Sequence, residues 1–208
     1  SGAPAELVLK AGGWAGSSSP LVTGSIHLVF GTVASSAVNL TLPPLAQNGN
    51  VDFRVNGSGS LSVSGNFAHT GAVVSSGTGG TGVFYSTAGA GAAAIVLNGT
   101  LNASQTGLIQ NSATSALVVN SSNSLFSGPV EIRSGPLVIA NPSGTSTKIL
   151  GNGLITLGTG ASNAALVYAA RYGSGSGGGT YTLTNPIQVS GSGTNVIEAT
   201  DWSMSLAG

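Results

Sequence analysis

The sequence predicts an all-β chain stacked as a β-solenoid, in the manner of a parallel β-helix, with a β-sandwich-like N-terminal part as the variant for its first stretch. Three observations carry this expectation. Glycine occupies 34 of 208 positions and interrupts nearly every window of ten residues, which disfavours helix by about 1 kcal/mol at each interior position. Short runs of branched aliphatic residues recur along the chain, bounded by Gly, Ser, Asn or Pro, as strands and turns require. From Leu97 onward strand-turn units return every 10 to 12 residues and paired units every 20 to 25, a spacing that solenoids share with sandwiches. Scarce aromatics, 5% of the chain, favour the solenoid, whose narrow cross-section is filled by stacked Val, Ile, Leu and Ala.

In chain order the expected strands are ELVLK from Glu6, SIHLVF, AVNLTL, VDFRV, SLSVSG, GVFYS, AIVLNGTLNA, SALVVN, PVEIR, PLVIA, KILGNGLITLG, ALVYA, TYTLT, PIQVSG, NVIEA and SMSLAG. Many alternate apolar and polar residues, as in Leu61-Ser62-Val63-Ser64 and Val130-Glu131-Ile132-Arg133. Period two puts the aliphatic residues on a core and the others in water. Asp52 with Arg54, and Glu131 with Arg133, fall on common faces as exposed ion pairs worth little each. Ser75 to Gly82 and Gly173 to Gly179 have linker composition but read as long turns projecting from the stack. A boundary near Gly91 divides residues 1–90, an irregular β region serving as cap or docking part, from solenoid repeats over 91–208; the alternative is one continuous array over 1–208. At about 4.8 Å per coil the chain makes roughly nine coils, near 40 Å long.

Composition excludes several functions. Five basic and five acidic side chains give zero formal charge, so the surface is Ser, Thr, Asn, Gly and Ala, and near-neutrality promotes association. Lys10, Arg54, Arg133, Lys148 and Arg171 are scattered singly, unlike a phosphate-binding surface, so no nucleic-acid partner is expected. No cysteine is present, and neither disulfides nor thiolate metal sites arise. No apolar run approaches 18 residues, so no membrane span is expected. The N-terminus has no signal-peptide pattern, which in a secreted protein means a leader already removed.

The candidates for chemistry are few. His27 and His69 lie in separate strand runs, and Glu6, Asp52, Glu131, Glu198 and Asp201 form no metal-ligating cluster. GSGSGGG at Gly173 is followed by no Lys and no helix, unlike a phosphate loop. Asn39, Asn56, Asn98, Asn102 and Asn120 head Asn-x-Ser/Thr triplets, as expected by chance in so Ser/Thr-rich a chain. Trp14, Trp202, Tyr168, Tyr172 and Tyr181 suit carbohydrate stacking but better suit core packing or subunit contact. No catalytic, cofactor-binding or metal-binding residue is assigned, and no cofactor is expected.

The segment Asn123 to Asn141, NSLFSGPVEIRSGPLVIAN, resembles the passenger-associated β-strand repeat of bacterial autotransporters. Phe126, Ser127, Gly128, Val130, Ile132, Ser134, Gly135 and Leu137 fall at the matching positions, with the likeness extending over residues 97–208. Pro129 and Pro136 depart from the Gly or Thr common there, a change that a strand opening tolerates. The chain leaves no room for an autotransporter's C-terminal barrel, so it reads as a cleaved or truncated passenger or as a self-standing subunit. The resemblance implies an extracellular or bacterial cell-surface location. The expected function is a structural subunit of a self-assembling surface fibre, filament or layer, held by β-strand edge contacts, whose partner is itself. The alternative is an adhesin or passenger fragment that binds cells or glycans through projecting loops.

Overall fold

The computed structural model describes residues 6–9, 26–30, 37–41, 49–56, 60–65, 67, 69–79, 94–140, 148–169, 180–200 and 203–207. Its elements are β1 (Glu6–Leu9), β2 (Ile26–Phe30), β3 (Ala37–Thr41), β4 (Val51–Val55), β5 (Ser60–Ser64), β6 (Ala72–Ser76), β7 (Ala94–Leu97), β8 (Gly107–Asn111), β9 (Ala116–Val119), β10 (Val130–Ile139), β11 (Ile155–Leu157), β12 (Ala164–Tyr168), β13 (Tyr181–Leu183), β14 (Ile187–Val189), β15 (Asn195–Ala199) and β16 (Met204–Leu206). Among the described residues there is no helix long and apolar enough to cross a membrane.

All strand pairs are parallel, and the chain winds as a three-sided β-solenoid. One sheet runs β1, β2, β4, β6, β8, β10, β11, β14. A second runs β3, β5, β7, β9, β10, β12, β15. The third side is less regular and ends in the pair β13–β16. Eight strands in the first sheet make eight coils, about 38 Å at 4.8 Å each. That is one coil fewer than the sequence spacing suggests, because coils vary in length. Val51 and Val73 are register partners 22 residues apart, but Val73 and Leu108 are 35 apart and Ile155 and Ile187 are 32 apart.

Before residue 90 the described strands β1 to β6 continue these parallel ladders, so they do not form a sandwich-like part. Parallel in-register neighbours stack side chain over side chain, and the two sheets of the winding chain cover each other's inner faces. Both ladders also cross residue 91, through β5–β7 and β6–β8.

The core is a column of aliphatic side chains inside the coils. Val51, Phe53, Val73, Leu108, Val130, Ile132, Ile155 and Leu157 come from the first sheet, and Leu61, Val63, Ile95, Leu97, Leu117, Val119, Leu137, Ile139 and Leu166 from the second. Half-burial, expected from alternation, fails in the second sheet. Ala116, Val118, Val138, Ala140, Val167 and Ala169, on its opposite face, form a second buried cluster, so β9 is buried at all four positions.

Two strands escape the sequence pattern. In β6 (AVVSS) and β8 (GLIQN) the core-facing residues Ser75 and Gln110 are polar, which breaks the apolar alternation. Gln110 Nε2 donates to the carbonyls of Ser115 (2.7 Å) and Ser112 (3.1 Å), pinning the turn into β9. Ser75 and Ser76 therefore end a strand rather than begin a linker, and the turn starts at Gly77, whose φ is 119°. PVEIR and PLVIA are one strand, β10, which passes from the first sheet to the second at Ser134-Gly135. GVFYS, Gly80 to Gly82 and Gly173 to Gly179 lie outside the described residues.

Buried amides bind coil to coil on the third side. Asn123 Oδ1 accepts the Leu101 N–H at 2.7 Å, while its Nδ2 donates to the Ile149 carbonyl at 2.6 Å. Gln105 Nε2 donates to the His69 carbonyl at 2.6 Å and Asn185 Nδ2 to the Gly153 carbonyl at 2.8 Å. A side chain that serves both neighbouring coils satisfies backbone groups which an irregular side would leave unpaired.

Candidate functional site: the terminal coil and the adjoining groove

The residues of the repeat-like segment are coil builders. Phe126, Val130, Ile132 and Leu137 are wholly buried, and Gly128 lies against the Phe126 ring. Gly135 turns the corner with φ 68°, and a Cβ there would run into the Ser112 carbonyl oxygen. Ser127 is exposed. These positions shape one turn of the solenoid, and of those named here Gly135 also lines the groove described below.

The ion pairs expected from sequence are present but unequal. Glu131 and Arg133 meet at 2.7 Å, with both side chains partly in solvent. Asp52 is largely buried; its carboxylate accepts from Arg54 Nε at 2.8 Å and from Ser76 Oγ at 2.7 Å. His27 is the register neighbour of Asp52, and Glu6 of His27, so the three occupy one row of the first sheet. His69 is elsewhere, wholly buried, its ring edge-on to Phe67 at 6.1 Å. Among the described residues no group of acidic and histidine side chains could hold a metal ion.

Tyr168 and Tyr181 are buried and stacked on each other, so neither offers a ring to a glycan. Trp14, Tyr172, Trp202 and Asp201 lie outside the described residues, as does the side chain of Asn39. Asn98 Nδ2 donates to Ser62 Oγ at 2.7 Å and Asn120 Nδ2 to Asn98 Oδ1 at 2.8 Å. Two of the glycan-type triplets thus contribute to an amide ladder along the stack.

Two surfaces differ from the rest. One is a groove of about 570 Å³ where β10, β12 and β15 leave the corner turns, floored by Pro136, Ala165, Val167 and Val196 and rimmed by Ser134, Asn163 and Thr194. Glu198 is its one charged lining residue.

The other is the last coil, β14, β15 and β16. Val189 stands in register on Leu157, Ile197 on Leu166 and Leu206 on Leu183. The inner partner of each pair is at most 1% exposed, whereas Val189, Ile197 and Leu206 are 61%, 36% and 54% exposed. Core-facing side chains are left uncovered on all three sides of the coil, beside a strand edge whose backbone groups have no further strand to pair with among the described residues. Sequence pattern marks PIQVSG, NVIEA and SMSLAG as strands like the others; it holds no signal that they form the uncovered coil.

No protein-family model matches this chain, and no curated protein or solved structure matches it.

Proposed function

We propose that this chain is an extracellular structural protein, a subunit of a self-assembling fibre, filament or layer in which copies join through strand edges. The observation that supports this reading most is the last coil, where Val189, Ile197 and Leu206 expose core-type surface beside an open parallel edge. A further parallel coil is the natural cover for such an edge. The register of the rows is compatible with a second copy in that place: in the first sheet the described row through Val189 runs back to Leu7, and in the second the described row through Ile197 runs back to Val38. Stacking copies head to tail sets aliphatic positions over aliphatic positions. The neutral composition offers no long-range repulsion against this. The reading assigns no catalysis and follows the resemblance to autotransporter passenger repeats.

Electron microscopy and sedimentation of concentrated protein test it. Filaments with an axial repeat of about 38 Å, eight coil spacings, are expected, and Val189→Arg is expected to abolish them while leaving the circular dichroism spectrum unchanged. Monomers at every concentration, with or without the substitution, overturn it.

A second reading, an adhesin or passenger fragment that binds cells or glycans, draws on the groove beside β15. Binding of a glycan that Glu198→Ala or Ala165→Trp removes, by a chain that stays monomeric, would favour this reading over the first.

A further inference from the structure

An imidazole sits inside the stack where no charge is provided for. His69 is wholly buried, on the third side between β5 and β6, and neither ring nitrogen has a hydrogen-bond partner. Its ring closes an aromatic row: Phe53 and Phe67 meet edge to face at 6.3 Å, and Phe67 and His69 at 6.1 Å. Two backbone groups beside the ring are already committed. The His69 carbonyl accepts from Ser104 Oγ and Gln105 Nε2, and the Ala72 N–H is donated to Asn50 Oδ1 at 2.9 Å. The Ala72 backbone favours a protonated ring only in part, and among the described residues no carboxylate lies beside the ring to balance its charge.

Among the described residues the surrounding elements carry no neutralising group toward it. From β4 the core-facing neighbour is Phe53, while Asp52 and Arg54 stand on the outer face and bond each other and Ser76. From β6 and β8 the core-facing polar residues are Ser75 and Gln110, both uncharged. The coil that follows offers Leu101 and Gln105. The other charged side chains described are Glu131 and Arg133, paired on β10; Lys148, bonded to Asn152; and Glu198, at the groove.

We propose that His69 makes its part of the solenoid acid-labile: its protonation opens the coils of β4, β6 and β8 around the Phe53-Phe67-His69 row, while the coils from β11 onward stay wound. Burial pulls its pKa below the ordinary 6.5, with the Ala72 backbone offsetting part of the shift. The unfolded or locally opened chain therefore binds the proton first. The stabilisation from a neutral, buried ring is complete above about pH 6.5 and is lost as pH falls from there through the folded-state pKa. Solenoids open locally because each coil contacts only its neighbours. A fibre of such subunits would acquire a weak segment in acid at one defined place.

Hydrogen exchange read by mass spectrometry, corrected for the intrinsic pH dependence of exchange, tests this on either side of about pH 6.5. In the unaltered chain, protection in segments 51–56, 72–79 and 101–111 is expected to fall by at least about tenfold on acidification, with segments 155–169 and 187–199 unchanged. His69→Phe, which extends the aromatic row, is expected to remove the acid response; if it does not fold, His69→Gln serves the same end. The imidazole proton signals give a second readout, since the chain has two histidines and His27→Gln identifies that of His69. An acid response that persists in the His69 variants, a uniform response along the chain, or a His69 ring that titrates at the ordinary value overturns the proposal.

Discussion

Tyr168 and Tyr181 lie nearly parallel, ring centroids 5.2 Å apart and planes inclined by 23°, one from the second sheet and one from the third side. The stack fills the coil near its open end, where the residues further along are exposed. Burial pushes the Tyr181 hydroxyl up to about 12; the Ile149 backbone opposes this and the neighbouring Tyr168 adds to it, both on a smaller scale. Because the folded pKa lies above the unfolded value of about 10, the contribution of the protonated phenol is complete below pH 10 and is lost as pH rises from there through about 12. Denaturation curves across that window should show falling stability in the unaltered chain and a smaller fall in Tyr181→Phe. Near neutral pH, Tyr181→Phe should change stability by less than about 1 kcal/mol, since it removes a buried hydroxyl without a good partner, whereas Tyr181→Ala should cost about 3 to 5 kcal/mol for the cavity left behind.

Asn123 carries a different kind of load. Its amide joins the Leu101 N–H of one coil to the Ile149 carbonyl of another, inside a wholly buried site. Asn123→Ala leaves both backbone groups unpaired and dry, at about 1 to 3 kcal/mol each, and is expected to lower the urea midpoint by more than any exposed Asn substitution. Asn98→Ala, on the exposed ladder, is the comparison and should shift stability by about 0.5 kcal/mol or less.

Asp52-Phe53-Arg54 and Glu131-Ile132-Arg133 look alike as sequence and differ in the fold. Asp52 is enclosed and serves both Arg54 and Ser76, while the Glu131–Arg133 pair is open to water. Asp52→Asn is expected to cost about 1 to 2 kcal/mol, the loss of charge-assisted bonds at a buried acceptor. Glu131→Gln should cost no more than about 0.5 kcal/mol, and added salt should erase that difference first. Chemical denaturation of the two variants at low and high salt separates them.

These contrasts show which parts of the molecule were legible in sequence. Strand content was, because Val, Leu and Ile in period two between Gly and Asn leave no other regular structure to form. Strands β6 and β8 were not, because Ser75 and Gln110 face inward and are accommodated by individual packing and hydrogen bonds that no periodicity encodes. Nor was the continuity of the first half with the second: Val73 and Leu108 are register partners across 35 residues, and a coil of that length hides the repeat. The uncovered coil was beyond reach for another reason. Val189 and Leu157 are both branched residues in alternating strands, and what distinguishes them is whether a further coil lies on top.

Gly135 is the position where motif and mechanics of the fold coincide most closely. It stands at the corner of β10, one residue past Ser134, where the strand leaves the first sheet for the second, and it adopts φ 68° against the Ser112 carbonyl of the preceding coil. A side chain there meets two penalties, a left-handed backbone disfavoured by about 1 to 2 kcal/mol and a collision with backbone that cannot swing aside. Gly135→Ala should therefore cost at least about 2 kcal/mol. The neighbouring Pro136, in register with Ala165 of the next coil and lining the groove, does not have the left-handed backbone of Gly135, so Pro136→Ala meets neither penalty and should cost less than Gly135→Ala. Thermal or urea unfolding of the two variants side by side checks the pair. Equal, small losses would mean that the corner can be turned without a left-handed glycine, and that Gly135 in the repeat-like segment marks composition rather than geometry.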